Sequence, residues 1–256
     1  MSRAVMMKRL ICLLSLPVAL ASAPVFAAGG GAVLSYTPEL TNEASLQRGA
    51  RNFMNYCSGC HGLKFLRYNR MARDLGIPEE VVEEQLMFTT DNINEHIEVA
   101  MPEASADWFG KQPPDLSLTA RSRGADWIYS FLNTFYVDPS NLSTGYNNLQ
   151  LENASMPHVL AELQGVVVRH EEAEAEGGDG HGGGHGGNHG LEVVEAGALS
   201  PDEYKAFTAD LTNFLAYAAE PGKADRQSLG WKVLFYLLIF FGVAYLLKRE
   251  YWKDVH

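Results

Sequence analysis

Cysteine is scarce in this sequence. It has three in 256 residues, and two of them, Cys57 and Cys60, lie three positions apart. A structural zinc site of four cysteines, or of two cysteines and two histidines, needs a second ligand pair at motif spacing. The one remaining cysteine, Cys12, sits in the N-terminal apolar stretch and does not supply it. Basic charge is also in deficit: 20 Lys and Arg stand against 31 Asp and Glu, a formal net charge of −11. That sign excludes nucleic-acid binding, which depends on neutralising phosphates. Alternating strand patterns are nearly absent, with Val166-Val167-Val168 a short exception. No thioredoxin-like βαβ pattern surrounds the cysteine pair, so a redox C-x-x-C is disfavoured. Apolar runs occur near the two ends, Leu10 to Ala21 and Leu229 to Leu247.

What is present around the pair is Cys57-Ser58-Gly59-Cys60-His61. C-x-x-C-H is the attachment signature of c-type haem. Two cysteines three apart share one side of a helical turn, where each sulfur can form a thioether to a haem vinyl group. His61 follows at once, so its imidazole lies under the porphyrin as the proximal iron ligand. The expected cofactor is therefore one covalent haem c.

The two ends frame this motif. Arg3, Lys8 and Arg9 precede an apolar run too short to span a bilayer, and Val25-Phe26-Ala27 offers a small-residue cleavage site. This reads as a cleaved secretory signal over residues 1–27, of bacterial rather than transit-peptide type. Cleavage removes Cys12, and haem consumes both remaining thiols. Leu229 to Leu247 is 19 residues, about 28 Å as a helix, which matches a hydrocarbon core. Lys232 can snorkel, Trp231, Tyr251 and Trp252 suit the interfaces, and Lys248 and Arg249 flank the far end. A C-terminal transmembrane anchor over 226–256 with a short cytoplasmic tail follows. The haem domain, 28–225, is expected on the periplasmic side of a bacterial inner membrane.

Within that domain the apolar spacing of Leu46, Gly49, Phe53 and Tyr56 predicts a helix over 45–56. Gly49 permits close approach of another helix, and Phe53 can cover the haem edge; simple core packing accounts for either equally well. Ser200, Pro201 and Glu203 form a helix start, with Pro221-Gly222 as the stop, predicting a helix over 201–219. Further helical stretches are expected between Ile77 and His96 and between Asp126 and Phe135. The fold class is mainly α, a cytochrome c-type haem domain with long loops. Residues 171–190 form an acidic, Gly- and His-rich loop with little to bury. His181, His185 and His189 recur every four residues, but the intervening glycines oppose a helix that would align them for metal.

A low-spin carrier adds an axial methionine. Met101 and Met156, each followed by proline, are the candidates, and spacing alone slightly favours Met101. Met54 is too near the motif, and Met71 and Met87 fall in helical segments. Resemblance separates the two. The chain is similar to the cytochrome c1 family through Cys57-Ser58-Gly59-Cys60-His61, Pro113-Pro114-Asp115-Leu116-Ser117, Arg121 and Arg123, and Ala154-Ser155-Met156-Pro157. The segment from Asn213 to Pro221, with its Ala-Ala-Glu-Pro ending followed by one membrane helix, extends the likeness. It implies Met156 as sixth ligand, Arg123 first and Arg121 second as partner of a haem propionate, and Pro114 along the pocket. Pro157-His158 departs from a Met-Pro-Pro pattern, and the Gly/His insertion is not a family feature.

The resemblance further implies an electron-transfer subunit of ubiquinol–cytochrome c reductase with no substrate chemistry of its own. Its partners would be cytochrome b, the Rieske iron–sulfur protein and a cytochrome c acceptor, in a dimeric complex. An acidic surface suits steering of a basic partner, and equally suits plain solubility. Two other readings stay open: a haem subunit of a terminal oxidase, disfavoured by the C-terminal anchor, and a sensor or peroxidase-like protein with a labile sixth ligand.

Overall fold

The computed structural model describes residues 33–170 and 190–253. The expected signal segment, Cys12, and His181, His185 and His189 lie outside the described residues.

Helix α1, Glu43–Tyr56, starts at Asn42, whose side-chain oxygen accepts from the Ser45 amide at 3.2 Å. This satisfies one of the free donors of the first turn. Its inner face carries Leu46, Ala50, Phe53 and Met54, all buried. The chain then forms strand β1 (Leu63–Arg67), helices α2 (Tyr68–Asp74) and α3 (Glu79–Gln85), and strand β2 (His96–Ile97), which pairs antiparallel with β1. The helical content expected between Ile77 and His96 is confined to α3. Beyond it, Asn92 and Asn94 turn the backbone: Thr90 Oγ1 accepts from the Asn92 amide and Asn92 Oδ1 from the Asn94 amide, each at 3.1 Å. Such local bonds compete with a helical ladder. Met87 therefore lies just past α3 rather than inside a helix.

Short helices α4 (Ser105–Phe109) and α5 (Thr119–Ser122) lead to α6 (Ala125–Asn133), close to the predicted segment. Strands β3 (Phe135–Val137) and β4 (Tyr146–Asn148) pair antiparallel, and helix α7 (Ala161–Gln164) precedes β5 (Gly165–Arg169). The Val166–Val168 strand is part of β5. Its antiparallel partner β6, Leu191–Ala196, was not anticipated. β6 is almost entirely exposed, so its sequence carries no inward-facing alternation to read.

Helix α8 spans Pro201–Ala219, as predicted, with a capping box between Ser200 and Glu203. The Ser200 amide donates to Glu203 Oε2 at 2.9 Å, and these serine contacts hold the Glu203 carboxyl below its usual range. Helix α9, Lys223–Tyr251, follows; none of its residues is buried, and it is the one described helix long and apolar enough to cross a membrane.

The core centres on the crossing of α1 and α8. A Cβ at Gly49 would lie 2.1 Å from the Asp210 carbonyl oxygen and 2.7 Å from Phe214 Cβ, so only glycine fits that contact. Phe53 and Phe214 pack beside it, ring centroids 5.7 Å apart. Polar groups at the crossing are matched: Asp210 accepts from Ser45 Oγ at 2.5 Å and from Arg48 at 2.6 and 2.9 Å. Asn213 Nδ2 donates to Ser45 Oγ, and Tyr36 donates its hydroxyl to Asn213 Oδ1, both at 2.8 Å. A buried carboxylate is tolerated when it is paired and hydrogen-bonded in this way.

Substituting Gly49→Val should therefore destabilise the domain by about 1–3 kcal/mol, the usual cost of overpacking a well-filled core. Thermal unfolding of the full-length protein in detergent would register it. An unchanged midpoint would mean that the helices do not meet as closely as described.

Candidate functional site

The chain leaves α1 through a tightened turn. The amides of Cys57 and Ser58 both donate to the Phe53 carbonyl, at 2.8 and 3.0 Å. Those of Cys60 and His61 both donate to the Cys57 carbonyl, at 3.0 and 2.8 Å. Ser58 Oγ adds a bond back to the Met54 carbonyl at 2.7 Å. This backbone presents Cys57, Cys60 and His61 to one cavity.

Cys57 and Cys60 form no disulfide with each other. Burial, with a smaller effect from Cys60, pushes the Cys57 thiol up to about 12. Among the described residues no cluster of three or more His, Cys, Asp or Glu is placed to hold a metal ion. The two sulfurs stand beside His61 on the cavity wall.

His61 is 8% exposed, and its Nδ1 lies 2.7 Å from the Pro114 carbonyl oxygen. A carbonyl can only accept, so Nδ1 carries the hydrogen and Nε2 keeps its lone pair. Burial lowers the His61 pKa, against weaker opposing effects of the Pro114 carbonyl and Asp115. A neutral imidazole is the ligating form.

The Pro-Pro-Asp-Leu-Ser block earns its place by holding that carbonyl. Asp115 Oδ2 accepts from the Lys64 amide at 2.8 Å, and Oδ1 from the Ser117 amide at 3.0 Å. The Leu116 amide donates to the Gly62 carbonyl at 2.9 Å, and Ser117 Oγ accepts from the Phe65 amide at 3.2 Å. The block is strapped along the residues immediately after His61, with Pro113 and Pro114 left facing the cavity.

Ser155, Met156, Pro157 and Val159 supply another part of the wall, with Tyr56, Phe109 and Lys111 completing it. Met101 is not among the lining residues; Met156 is, partly buried against the hydrophobic core. His158, the departure from Met-Pro-Pro, fixes this segment. Its ring stacks on Phe135 at 4.6 Å and meets Tyr146 edge-on at 5.3 Å. Burial drives its pKa down to about 4, so the stacked imidazole is neutral.

The other sequence-derived residues lie elsewhere. Phe53 is in the α1–α8 core. Arg121 reaches Glu220 at 3.6 Å, and the Arg123 guanidinium lies over the Trp127 ring at 4.5 Å. Neither arginine lines the cavity. Lys111 does, and no motif in the sequence singled it out. The wall is otherwise apolar or neutral, and its donor set is two thiols, an imidazole with a free nitrogen and a thioether. That set fits a porphyrin with two vinyl groups and an iron.

A helical domain with this turn and cavity, followed by one long apolar helix, defines a membrane-tethered c-type cytochrome. The chain belongs to the cytochrome c1 family, whose profile matches residues 37–175 and 192–255. Cytochrome c1 of Allochromatium vinosum is 46% identical over 239 residues, covering 93% of this chain and 96% of that protein. A Nitrosomonas europaea protein named ammonia monooxygenase gamma subunit is 40% identical over 250 residues, 97% of this chain and 100% of its own length. Cytochrome b/c1 of Bradyrhizobium diazoefficiens is 27% identical over 248 residues, 84% of this chain and 34% of that one. The cofactor is accordingly one covalently bound haem c, in a haem subunit of bc1-type electron transfer. Together with α9, the bacterial relatives fit a single-pass membrane protein.

Replacing Asp115→Ala would leave the Lys64 and Ser117 amides without their acceptor and free the Pro114 carbonyl to drift. A loss of about 1–3 kcal/mol is expected from the unpaired donors, with haem retained. Thermal bleaching of the haem spectrum measures it; a variant as stable as the parent would refute the strap.

Proposed function

We propose that this chain takes electrons from a Rieske iron–sulfur protein and passes them to a cytochrome c, within a dimeric assembly that includes cytochrome b. The observation that carries the reading is the gathering of Cys57, Cys60, His61, Pro114 and Met156 around one cavity. The relative whose name joins cytochrome b and c1 supports cytochrome b as a neighbour. Haem supplies one-electron exchange between ferric and ferrous iron when bound.

The residues have separate tasks. Cys57 and Cys60 fix the porphyrin through thioethers. His61 offers Nε2 to the iron while the Pro114 carbonyl fixes the ring's orientation and tautomer. Such outer partners orient the ligand and raise its basicity. Met156 would offer its thioether to the iron, and its segment is held by the His158 stack. With His61 and Met156 both holding the iron, the chain would keep oxygen and peroxide from it. The family resemblance assigns a haem carboxylate to Arg123 first and Arg121 second, but neither lines the cavity, and Lys111 is the cation that does.

Residues 1–27 act as the signal, and 28–225 form the haem domain on the periplasmic side of a bacterial inner membrane. Residues 226–256 hold the domain to that membrane, and the tail beyond α9 is cytoplasmic. The exposed Trp231 near one end of α9 and Tyr251 and Trp252 at the other suit the two interfaces.

Quinol added to native membranes should reduce this haem, and an inhibitor of the bc1 quinol-oxidation site should block that reduction. If quinol failed while reduced soluble cytochrome c succeeded, the chain would be an oxidase-side acceptor or a sensor. Met156→Leu should abolish the low-spin methionine spectrum and lower the midpoint potential; a variant that keeps the parental spectrum would remove Met156 from the iron.

A further inference from the structure

We propose that Lys111 is a charge partner of a haem propionate and sets the reduction potential of the site upward. Haem carries its two propionates on the edge away from the vinyl groups. Once Cys57 and Cys60 fix the vinyl edge, a pair of carboxylates must therefore lie elsewhere along the wall or at its mouth. Lys111 is the sole cation among the described residues of that wall. The wall's remaining polar side chains outside the ligand set, Tyr56 and Ser155, are neutral. Arg121 is engaged with Glu220 and Arg123 with Trp127, both outside the cavity.

The position of Lys111 is defined at both ends. Gly110, at φ +74°, terminates α4 in a left-handed conformation that glycine adopts without strain. Pro113 and Pro114 follow, held by the Asp115 strap. Lys111 is thus held three residues from the carbonyl that orients His61. Among the described residues its ammonium has no ion-pair or hydrogen-bond partner, although the chain carries an acidic excess of 11 charges. A free ammonium at the rim of a site built for a dianionic cofactor can take one carboxylate without breaking any existing bond. Its effect on the iron has a definite sign. Ferrous iron carries one positive charge fewer than ferric, so a fixed cation nearby favours the reduced form. Lys111 is solvent-exposed, so the effect weakens as ionic strength rises.

The inference rests on haem occupying the cavity as proposed above, and the experiment keeps the two apart. Lys111→Gln, Lys111→Glu and Lys111→Arg are made in the full chain and purified within its complex. Haem content, the low-spin spectrum and the midpoint potential at low and high salt are read for each. Expected is a parental spectrum throughout, a downward midpoint shift in Lys111→Gln, a larger one in Lys111→Glu, and none in Lys111→Arg. The Lys111→Gln shift should shrink at high salt, and redox-difference infrared spectra should show a moved propionate band. Haem loss in Lys111→Gln but not Lys111→Arg would also support the charge pair, whereas haem loss in both would overturn it. Intact spectra with unmoved midpoints would overturn the role of Lys111 alone. A parent lacking the histidine–methionine spectrum would overturn the site reading beneath it.

Discussion

The hydrogen bond from His61 Nδ1 to the Pro114 carbonyl is the contact on which the site depends. It joins two segments 53 residues apart, and it decides which imidazole nitrogen faces the cavity. Without it the ring could rotate or exchange tautomers, and Nε2 would not be presented with its lone pair free. Much of the local sequence reads as a means of holding that one carbonyl still. Pro113 and Pro114 stiffen the backbone that leads to it, and the Asp115 carboxylate just beyond accepts from the Lys64 and Ser117 amides. Burial lowers the imidazole's proton affinity, which keeps it in the ligating form.

The other half of the geometry comes from the crossing of α1 and α8. The cysteines stand on the turn that directly follows α1, so their placement follows from how α1 is seated. Gly49 brings α1 against the α8 backbone, and the Asp210, Ser45, Asn213 and Arg48 bonds oppose sliding along that contact. α8 is also the helix that feeds the membrane anchor. Cofactor wall and tether are therefore connected through α8 and its short junction with α9.

How far the sequence could be read depended on whether the information was local. The C-x-x-C-H turn, the capping box at Ser200 and Glu203, the glycine contact at Gly49 and the long apolar helix are all written in short windows. α1, α6, α8 and α9 were legible for that reason. β6 was not, because a strand exposed on nearly every residue shows no periodicity. Of the helical stretches expected between Ile77 and His96 only α3 forms, because beyond it the Thr90 and Asn92 side chains capture the backbone. Among the site residues, resemblance was needed to prefer Met156 over Met101, since nothing near either distinguishes them. The stacking role of His158 depends on Phe135 and Tyr146, distant in sequence, so in the primary structure it registered only as a departure from a pattern. Lys111 was invisible for the same reason, as one lysine among the chain's 20 basic residues.

The arginine-and-glutamate cluster at the end of α8 shows what the rest of the resemblance block is for. Glu220 accepts from Arg226 at 3.0 Å, with Arg121 at 3.6 Å and Lys223 at 3.9 Å around the same carboxylate. Arg226 chiefly, with Arg121 and Lys223, holds that carboxyl below its usual range. Arg121 and Arg226 are well exposed, so each pair is individually weak in water. Their arrangement matters more than their sum: α5 is tied through Arg121, and α9 through Lys223 and Arg226, to the same residue at the α8–α9 junction. Next to a membrane the surrounding dielectric falls, and attractions that water screens gain strength. The Ala-Ala-Glu-Pro ending is therefore a joint as well as a stop. Pro221 and Gly222 break the helix, and Glu220 holds charged partners on both sides of that break.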